Sequence, residues 1–219
     1  MKIIKPRIII SKAELDDLKL LSIEHYARIC YKSETKSDTN NNFLRTIIKN
    51  GHESVIEHEK VTVTFIVDRG VSNQIIRHRI ASYSQESTRY CNYSMDKFSN
   101  EITVIFPFYY AIDSDEYIIW KASCEASENA YLRLCQNSKA EEARSVLPNS
   151  LKTELVTTYN FREWRHFFKL RCSKEAHPQM RQITIPLLLV FKENFSAVFE
   201  DIDYDNEFPK NHYAIINIV

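Results

Sequence analysis

The chain has 219 residues, 44% of them apolar and 26% charged, which excludes a disordered protein and is long enough to bury one large core. Its 29 basic and 29 acidic side chains cancel, which excludes a surface that attracts nucleic acid or an anionic membrane as a whole. Any anion site must therefore be a local cluster of positive charge.

The cysteine and glycine contents narrow the class of protein further. The five cysteines include no C-x-x-C pair, which predicts reduced thiols, a cytoplasmic location and no structural metal site. No signal peptide or apolar run long enough to span a bilayer is present, so we expect no membrane association. Only Gly51 and Gly70 occur, and neither a P-loop nor a G-x-G-x-x-G turn can be built from them. A bound nucleotide must then be held by side chains.

The first half of the chain predicts short elements of both kinds. Ser11 and Glu14 have the spacing of a capping box before a helix that should run from Leu15 to about Cys30. The alternation of apolar and polar residues over 61–67 predicts a strand. The other expected elements are a strand over 1–10, a polar loop over 38–42, a helix over 43–49, a helix over 71–79 and a loop over 80–89.

The second half predicts longer helices. These are expected over 116–136, 140–147, 161–170 and 178–199, with an extended segment over 102–108. Residues 153–159 fit a strand or a helix, and Pro186 should kink the last helix or shift its start. Because the order of elements is mixed, we expect an α+β fold with a largely antiparallel sheet flanked by long helices, in a single domain over residues 1–219.

Three segments concentrate polar groups, and the first is the run GHESVIEH at residues 51–58. Its two histidines and two carboxylates suggest a metal site, but they lack the i, i+4 histidine pair of the zinc hydrolases. From spacing alone, a polar turn is the better interpretation.

The second segment, RHRIASYSQESTRY, runs from Arg77 to Tyr90. Arginine binds phosphate and carboxylate through two parallel charge-assisted hydrogen bonds, and hydroxyl groups are dense around it here. The segment therefore predicts a site for a phosphorylated small molecule. A solvated basic turn paired with Glu86 is about as well supported by the residues alone.

The third segment comprises Arg144 and the run from Asn160 to Arg171. On a helix, Arg162 and His166 share one face with Arg165 beside them, which fits an exposed basic face. Arg171 falls instead with the aromatic residues, where a lone arginine is costly unless an anion pairs with it.

Taken together, these motifs resemble those of the flavin-dependent thymidylate synthases, the ThyX family. Arg77-His78-Arg79 followed by Ser87 is similar to the family's signature. Four further segments look like family motifs: ARICYKS at 27–33, GHESVIEH at 51–58, ARSVLP at 143–148, and Asn160-Phe161-Arg162 followed by His166 and Leu170-Arg171. The resemblance covers about residues 1–200 and implies a ThyX-like fold.

The resemblance also implies a reaction. Such an enzyme makes dTMP from dUMP, takes the carbon from methylenetetrahydrofolate, and uses FAD reduced by NADPH as its hydride source. Family members are homotetramers with active sites at subunit interfaces, which would explain how FAD is held with almost no glycine.

Site residues follow from the resemblance, position by position. The implied FAD contacts are Ser54, Glu57, Arg77, His78, Arg79, Glu86, Asn160, Arg162 and His166. The implied dUMP contacts are Gln74, Arg77, Glu86, Ser87, Thr88, Arg89, Arg144 and Arg171. Arg171 matches the arginine placed against the uracil ring, where a guanidinium can stabilise charge on an ionised ring nitrogen and so activate carbon-5. Ser87 lacks an adjacent oriented base, so it is interpreted as a ligand and not as a nucleophile.

The sequence departs from the family pattern in two places and leaves alternatives open. His166 stands where the family often has asparagine. After Arg171 the alignment is ambiguous, so a flavin contact could come from His177, Gln179 or Arg181. The alternative functions are an RNA- or nucleotide-binding protein that stacks bases on Tyr83, Tyr90 and Tyr93, and a ThyX-like flavoprotein without synthase activity.

Overall fold

The computed structural model describes residues 1–30, 32–33 and 41–219. The predicted polar loop over 38–42 therefore lies mostly outside the described residues. The helices are α1 Leu18–Cys30, α2 Asn42–Lys49, α3 Arg69–Ile75, α4 Asp115–Leu134, α5 Ala140–Ala143, α6 Phe161–Arg171, α7 Pro178–Asn194 and α8 Ser196–Phe199. The strands are β1 Lys2–Ile4, β2 Arg7–Ile10, β3 Lys60–Asp68, β4 Ala81–Gln85, β5 Thr103–Ile105, β6 Lys152–Asn160 and β7 Ile215–Ile218. The predicted α+β class is confirmed.

Two sheets organise the strands. Five strands form one sheet in the order β4-β6-β3-β2-β7, and β1 pairs in parallel with β5. In that parallel pair, Lys2 lies opposite Thr103 and Ile4 opposite Ile105. Strand β3 shows the predicted alternation, since Val61, Val63 and Phe65 are fully buried.

The chain divides into two compact units. Unit 1 comprises residues 1–7, 65–77 and 84–155, and unit 2 comprises residues 8–64, 78–83 and 156–219. The core of unit 1 gathers Tyr93, Ile102, Val104, Cys124, Tyr131, Ala143 and Leu151. The core of unit 2 contains an aromatic cluster in which Trp164 stacks on Phe168, and Phe191 packs against both rings.

Several element boundaries differ from the sequence prediction. Ser11 makes no side-chain cap, and Lys12–Leu15 is a 3-10 turn. Helix α1 begins only at Leu18, whose backbone N–H donates to Asp16 Oδ1 at 2.9 Å. Helix α3 ends at Ile75, so the Arg77-His78-Arg79 motif follows the helix and is not part of it.

The segment predicted as a loop after Arg79 contains strand β4. Its hydroxyl-rich sequence has no apolar alternation to announce a strand. The strand forms because it lies next to β6 in the sheet, and backbone pairing with a neighbouring strand overrides weak local propensity. Just beyond it, the Glu86 N–H donates to the Glu154 carbonyl at 2.8 Å. Residues 153–159, which fitted a strand or a helix, belong to β6.

Helix α7 runs through Pro186 and ends at Asn194, so the long helix predicted over 178–199 is divided between α7 and α8. A proline inside a helix leaves the carbonyl four residues earlier without its intrahelical donor. That carbonyl belongs to Gln182, and it accepts from the Ala214 N–H at 2.9 Å. A backbone partner from the C-terminal segment thus satisfies the group that Pro186 frees.

Candidate functional site

The two units divide the predicted site residues between them. Unit 1 carries every predicted dUMP residue except Arg171. Unit 2 carries every predicted FAD residue except Arg77 and Glu86.

A surface cleft of about 520 Å³ in unit 2 collects four of the predicted FAD residues. It is lined by Glu53, Glu57, Ile80, Asn160, Arg162, Glu163, His166 and Lys169. Glu53, Glu163 and Lys169 are not among the predicted site residues. In the sequence, Glu53 fits a polar turn, and Glu163 and Lys169 fit the surface of a helix. Ser54 is exposed on the same 3-10 turn as Glu53 and Glu57, and Arg79 is exposed beside Ile80.

Ion pairs set the charge of this cleft. Arg162 Nη1 lies 2.5 Å from Glu57 Oε1, and both side chains are about half exposed. Glu53 is less exposed and lies 3.8 Å from Lys169 Nζ and 3.9 Å from Arg162 Nε. Exposed ion pairs of this kind are weak, so Arg162 can exchange its carboxylate partner for a ligand phosphate at little cost.

Helix α6 carries most of the cleft because its first turn is fixed by Asn160. The Asn160 side-chain oxygen accepts from the Glu163 N–H at 2.9 Å and caps the helix. This cap orients the turn that holds Arg162 and Glu163.

Arg165 corrects the prediction of an exposed basic face on this helix. The side chain is only 2% exposed, and its guanidinium donates to both carboxylate oxygens of Asp201, at 2.6 and 2.7 Å. It also donates to Glu53 at 3.1 Å and to the Val198 carbonyl. Arg165 is therefore a buried structural arginine, and its partner Asp201 lies too far along the chain for helical spacing to reveal it.

His78 lies at the centre of a buried hydrogen-bonded group behind the cleft. Its side chain is almost fully buried, its Nδ1 lies 2.9 Å from Glu163 Oε1, and its Nε2 lies 3.2 Å from Arg171 Nε. Burial, with the positive charge of Arg171 and the neighbouring His166, lowers the pKa of His78 from 6.5 to about 4. The imidazole is therefore neutral near pH 7.

Two tyrosines hold the backbone at His78. The Tyr83 hydroxyl donates to the His78 carbonyl at 2.5 Å. The buried Tyr159 hydroxyl lies 2.8 Å from the Tyr83 hydroxyl. Since the Tyr83 hydrogen is committed to the carbonyl, Tyr159 is the donor of the second bond. Burial raises the pKa of both phenols, so they stay protonated.

Arg171, the predicted catalytic residue, is half-buried at the end of α6. Trp164, Phe167 and Phe168 on the same helix are fully buried, as the aromatic pattern indicated. Burial lowers the pKa of Arg171 from its usual value. A guanidinium in such surroundings interacts more strongly with a nearby anion than one in water does.

In unit 1, Glu86 forms the hub of a polar cluster. Its carboxylate accepts from Tyr93 Oη at 2.9 Å, Lys152 Nζ at 2.8 Å and the Glu154 N–H at 3.2 Å. Lys152 also lies 2.7 Å from the Glu154 carboxylate. Glu86 is thus engaged within the fold and fixes the start of the segment that follows it.

Residues Ser87, Thr88 and Arg89 form a turn beside Arg144. The Ser87 carbonyl accepts from the Cys91 N–H at 2.8 Å, and Arg144 donates to the buried Thr88 hydroxyl at 3.3 Å. Arg89 Nε lies 2.8 Å from Glu141 in an exposed pair. The structure thus brings Arg89 and Arg144, two of the predicted dUMP contacts, to one turn of unit 1.

The remaining predicted residues occupy the ends of elements. Gln74 is half-buried in α3, and Arg77 is exposed just after it. Among the three open alternatives, His177 caps α7 by accepting from the Gln179 N–H at 3.3 Å. Arg181 lies 2.5 Å from the buried Asp205, which gives it a structural role.

One group of described side chains lies close enough together to offer ligands to a metal ion. His78, Glu163 and His166 each offer a ligand atom, and these atoms lie within 4.8 Å of one another. Both nitrogens of His78 are already hydrogen-bonded, one of them to a cationic arginine, which disfavours a cation there. All five cysteines are free thiols, and Cys124 and Cys172 are buried.

Among the described helices, none combines the length and the apolar character needed to cross a membrane.

Comparison with known proteins decides the family. Residues 16–195 match the family model described as thymidylate synthase complementing protein. The chain belongs to the flavin-dependent thymidylate synthase family. A flavin-dependent thymidylate synthase of Geobacter sulfurreducens is 34% identical over a 185-residue alignment, and the match covers 80% of this chain and 78% of that protein. The flavin-dependent thymidylate synthases of Mycobacteroides abscessus and Mycobacterium sp. (strain JLS) are 31% and 33% identical, each over 83% of this chain and 78–79% of theirs.

The described residues fit the cofactor that the flavin-dependent family uses. An FAD pyrophosphate needs cationic donors, and Arg79 and Arg162 of unit 2 both reach solvent. With only two glycines in the chain, such side chains would have to take the place of the amide loops that hold such groups elsewhere.

Proposed function

We propose that this protein converts dUMP to dTMP for de novo dTMP biosynthesis, with methylenetetrahydrofolate as carbon donor and FAD reduced by NADPH as hydride source. The match to the family over residues 16–195 carries this conclusion. When bound, FAD supplies the hydride. The chain's own residues bind and orient the substrates and stabilise charge on the pyrimidine.

The FAD site consists of Ser54, Glu57, Arg77, His78, Arg79, Glu86, Asn160, Arg162 and His166. Support comes from the unit 2 cleft, which gathers Glu57, Asn160, Arg162 and His166 around one space. His78 is buried behind that cleft, and Glu86 is occupied by Tyr93 and Lys152, so both act mainly by fixing their neighbours.

The dUMP site consists of Gln74, Arg77, Glu86, Ser87, Thr88, Arg89, Arg144 and Arg171. Arg89 and Arg144 provide the cations that a nucleotide phosphate requires, and both reach solvent. Arg171 is the catalytic residue. It stabilises negative charge that develops on the uracil ring when the ring nitrogen ionises, and so makes carbon-5 more reactive toward the electrophilic carbon.

We propose a cytoplasmic homotetramer whose active sites combine residues of neighbouring chains, with residues 1–219 acting as one ThyX-like domain. Because the unit 2 cleft opens to solvent, residues of a second chain could close it over the cofactor.

The RNA-binding alternative requires exposed tyrosines as stacking platforms. Tyr93 is 6% exposed and bound to Glu86, while Tyr83 is bonded to Tyr159 and to the His78 carbonyl. Tyr90, at 76% exposure, is the one of the three that could stack on a base. A single platform does not support base stacking along a strand.

Release of hydrogen from uracil carbon-5 tests the proposed function directly. The FAD-loaded protein should release tritium from [5-³H]dUMP when NADPH and methylenetetrahydrofolate are present. Arg171→Ala should lower this rate at least about 100-fold, as expected for loss of one preorganised charge-stabilising donor, while FAD stays bound. Arg133→Ala, an exposed arginine on α4, is the matched control and should retain full activity. Full activity of Arg171→Ala would refute the catalytic assignment, and a protein that binds no FAD would refute the function.

A further inference from the structure

We infer that Glu163 is a positioning residue, which holds His78 in one tautomer so that His78 in turn fixes the guanidinium of Arg171. The inference rests on the proposed role of Arg171. Glu163 belongs neither to the implied FAD contacts nor to the implied dUMP contacts. Its side chain lines the unit 2 cleft, but its effect on Arg171 passes through two hydrogen bonds, one from Arg171 to His78 and one from His78 to Glu163.

The direction of each hydrogen bond follows from the chemistry of arginine. A guanidinium has donors and no acceptor, so Arg171 Nε must donate to His78 Nε2 across their 3.2 Å separation. His78 Nε2 therefore carries no hydrogen. The neutral imidazole must then carry its hydrogen on Nδ1, which donates to Glu163 Oε1 at 2.9 Å.

Burial makes this arrangement selective. His78 is 4% exposed and Glu163 is 7% exposed, so water cannot readily replace either partner. If the hydrogen moved to Nε2, its N–H would face the N–H of Arg171, and two donors would oppose each other. Without the Glu163 carboxylate, nothing described beside Nδ1 holds the hydrogen there.

The backbone of His78 is fixed independently of its ring. The Tyr83 hydroxyl donates to the His78 carbonyl at 2.5 Å, and Tyr159 supports Tyr83 from the core. The remaining freedom of His78 is therefore rotation of its side chain and choice of tautomer. Glu163 controls both, which is why a residue outside the ligand set can affect Arg171.

Helix geometry makes Glu163 suited to this task. It lies in the first turn of α6, where the Asn160 cap fixes its backbone N–H, while Arg171 ends the same helix. His78 bridges the two ends of α6, although it lies 85 residues before Glu163 in the chain. A substitution of Glu163 at the start of α6 can therefore displace Arg171 at the end of the helix.

The test uses FAD-loaded protein with ¹⁵N-labelled histidine and the variants Glu163→Leu and Glu163→Gln. In the unmodified protein, His78 should show a protonated Nδ1 and an unprotonated Nε2. Glu163→Leu should lose this pattern and, at saturating FAD, lower kcat about 10- to 100-fold, since small displacements of a catalytic group cost about that much. Glu163→Gln should keep the pattern and stay within about threefold of full activity, because the amide oxygen still accepts from Nδ1–H.

A double variant separates positioning from general damage. Glu163→Leu should weaken dUMP binding to the FAD-loaded protein about tenfold when Arg171 is present, but less than twofold in an Arg171→Ala background. Glu193→Leu, an exposed glutamate on α7, is the matched control and should change neither kcat nor dUMP affinity. Equal weakening in both backgrounds would overturn the inference.

The histidine spectrum also distinguishes failure of this inference from failure of the proposed function. A Glu163→Leu protein that keeps the Nδ1–H form of His78 overturns the inference even if Arg171 is catalytic. If Arg171→Ala retains full activity, the proposed catalytic role fails, and unchanged His78 signals in that variant overturn the hydrogen-bond linkage as well.

Discussion

Removing Asp201 should destabilise the protein more than removing its buried partner Arg165. In Asp201→Ala, a guanidinium that is 2% exposed loses two charge-assisted hydrogen bonds, of 2.6 and 2.7 Å. Breaking a buried ion pair by removing one partner costs about 3–5 kcal/mol, and the half exposure of Asp201 together with the remaining Glu53 contact places this case near 3 kcal/mol. For a chain of this length the melting temperature should fall by about 6–12 °C.

Arg165→Met removes the buried charge itself. The carboxylate left behind on Asp201 is 47% exposed and can be hydrated, and Glu53 keeps Lys169 as a partner. Methionine also fills most of the vacated volume. We therefore expect a loss of only about 1 kcal/mol, because exposed carboxylates cost little when unpaired.

Urea denaturation, monitored by tryptophan fluorescence, gives the free energy of unfolding of both variants and of the double variant. The double variant should be about as stable as Arg165→Met. The hydrogen bond from Arg165 lowers the pKa of Asp201, so the stability from this carboxylate is present above its usual pKa and is lost as pH falls through the lowered value. The gap between the unmodified protein and Asp201→Ala should therefore narrow in strong acid. A larger loss for Arg165→Met than for Asp201→Ala would refute the reasoning.

Two further predictions concern buried titratable groups. The pKa of His78 is lowered from 6.5 to about 4, so between pH 4 and pH 6.5 the unfolded chain binds a proton that the folded chain does not. The contribution of the neutral His78 to the free energy of unfolding is therefore full above pH 6.5 and is lost as the pH falls toward 4. An NMR titration should find no His78 midpoint above pH 5, and a midpoint near 6.5 would contradict the burial argument. Burial raises the pKa of the Cys172 thiol to about 12, so iodoacetamide should label the exposed Cys30 in the native protein and Cys172 only after unfolding. Native labelling of Cys172 at the rate of Cys30 would contradict this.

Local patterns in the sequence are enough to predict features that depend on the periodicity of neighbouring residues. The alternation in β3 and the aromatic side of α6 follow from periodicity alone, and the structure confirms both. Helix α2 ends at Lys49, as predicted, and Gly51 follows it with a φ of 72°, a conformation that glycine adopts without strain.

Features that depend on long-range partners could not be predicted in this way. Strand β4 forms beside β6, which lies far along the chain, and its own sequence reads as a loop. Arg165 was placed on an exposed face because its partner Asp201 is 36 residues away. Glu163 is absent from the predicted site residues for the same reason, since only the fold brings it next to His78. Spacing within a helix identifies neighbours on that helix and says nothing about what faces it.

Pro186 leaves the Gln182 carbonyl without a helical donor, and the Ala214 N–H donates to it instead. This hydrogen bond shows how far the folded unit extends toward the C-terminus. The family match stops at residue 195, yet Ala214 lies beyond it. Asp201 and Asp205, which neutralise Arg165 and Arg181, lie beyond it too. A boundary drawn from sequence similarity would thus cut through the hydrogen bonding of unit 2. Anyone shortening this protein for expression should treat residues 196–219 as part of the same folding unit and not as a dispensable tail.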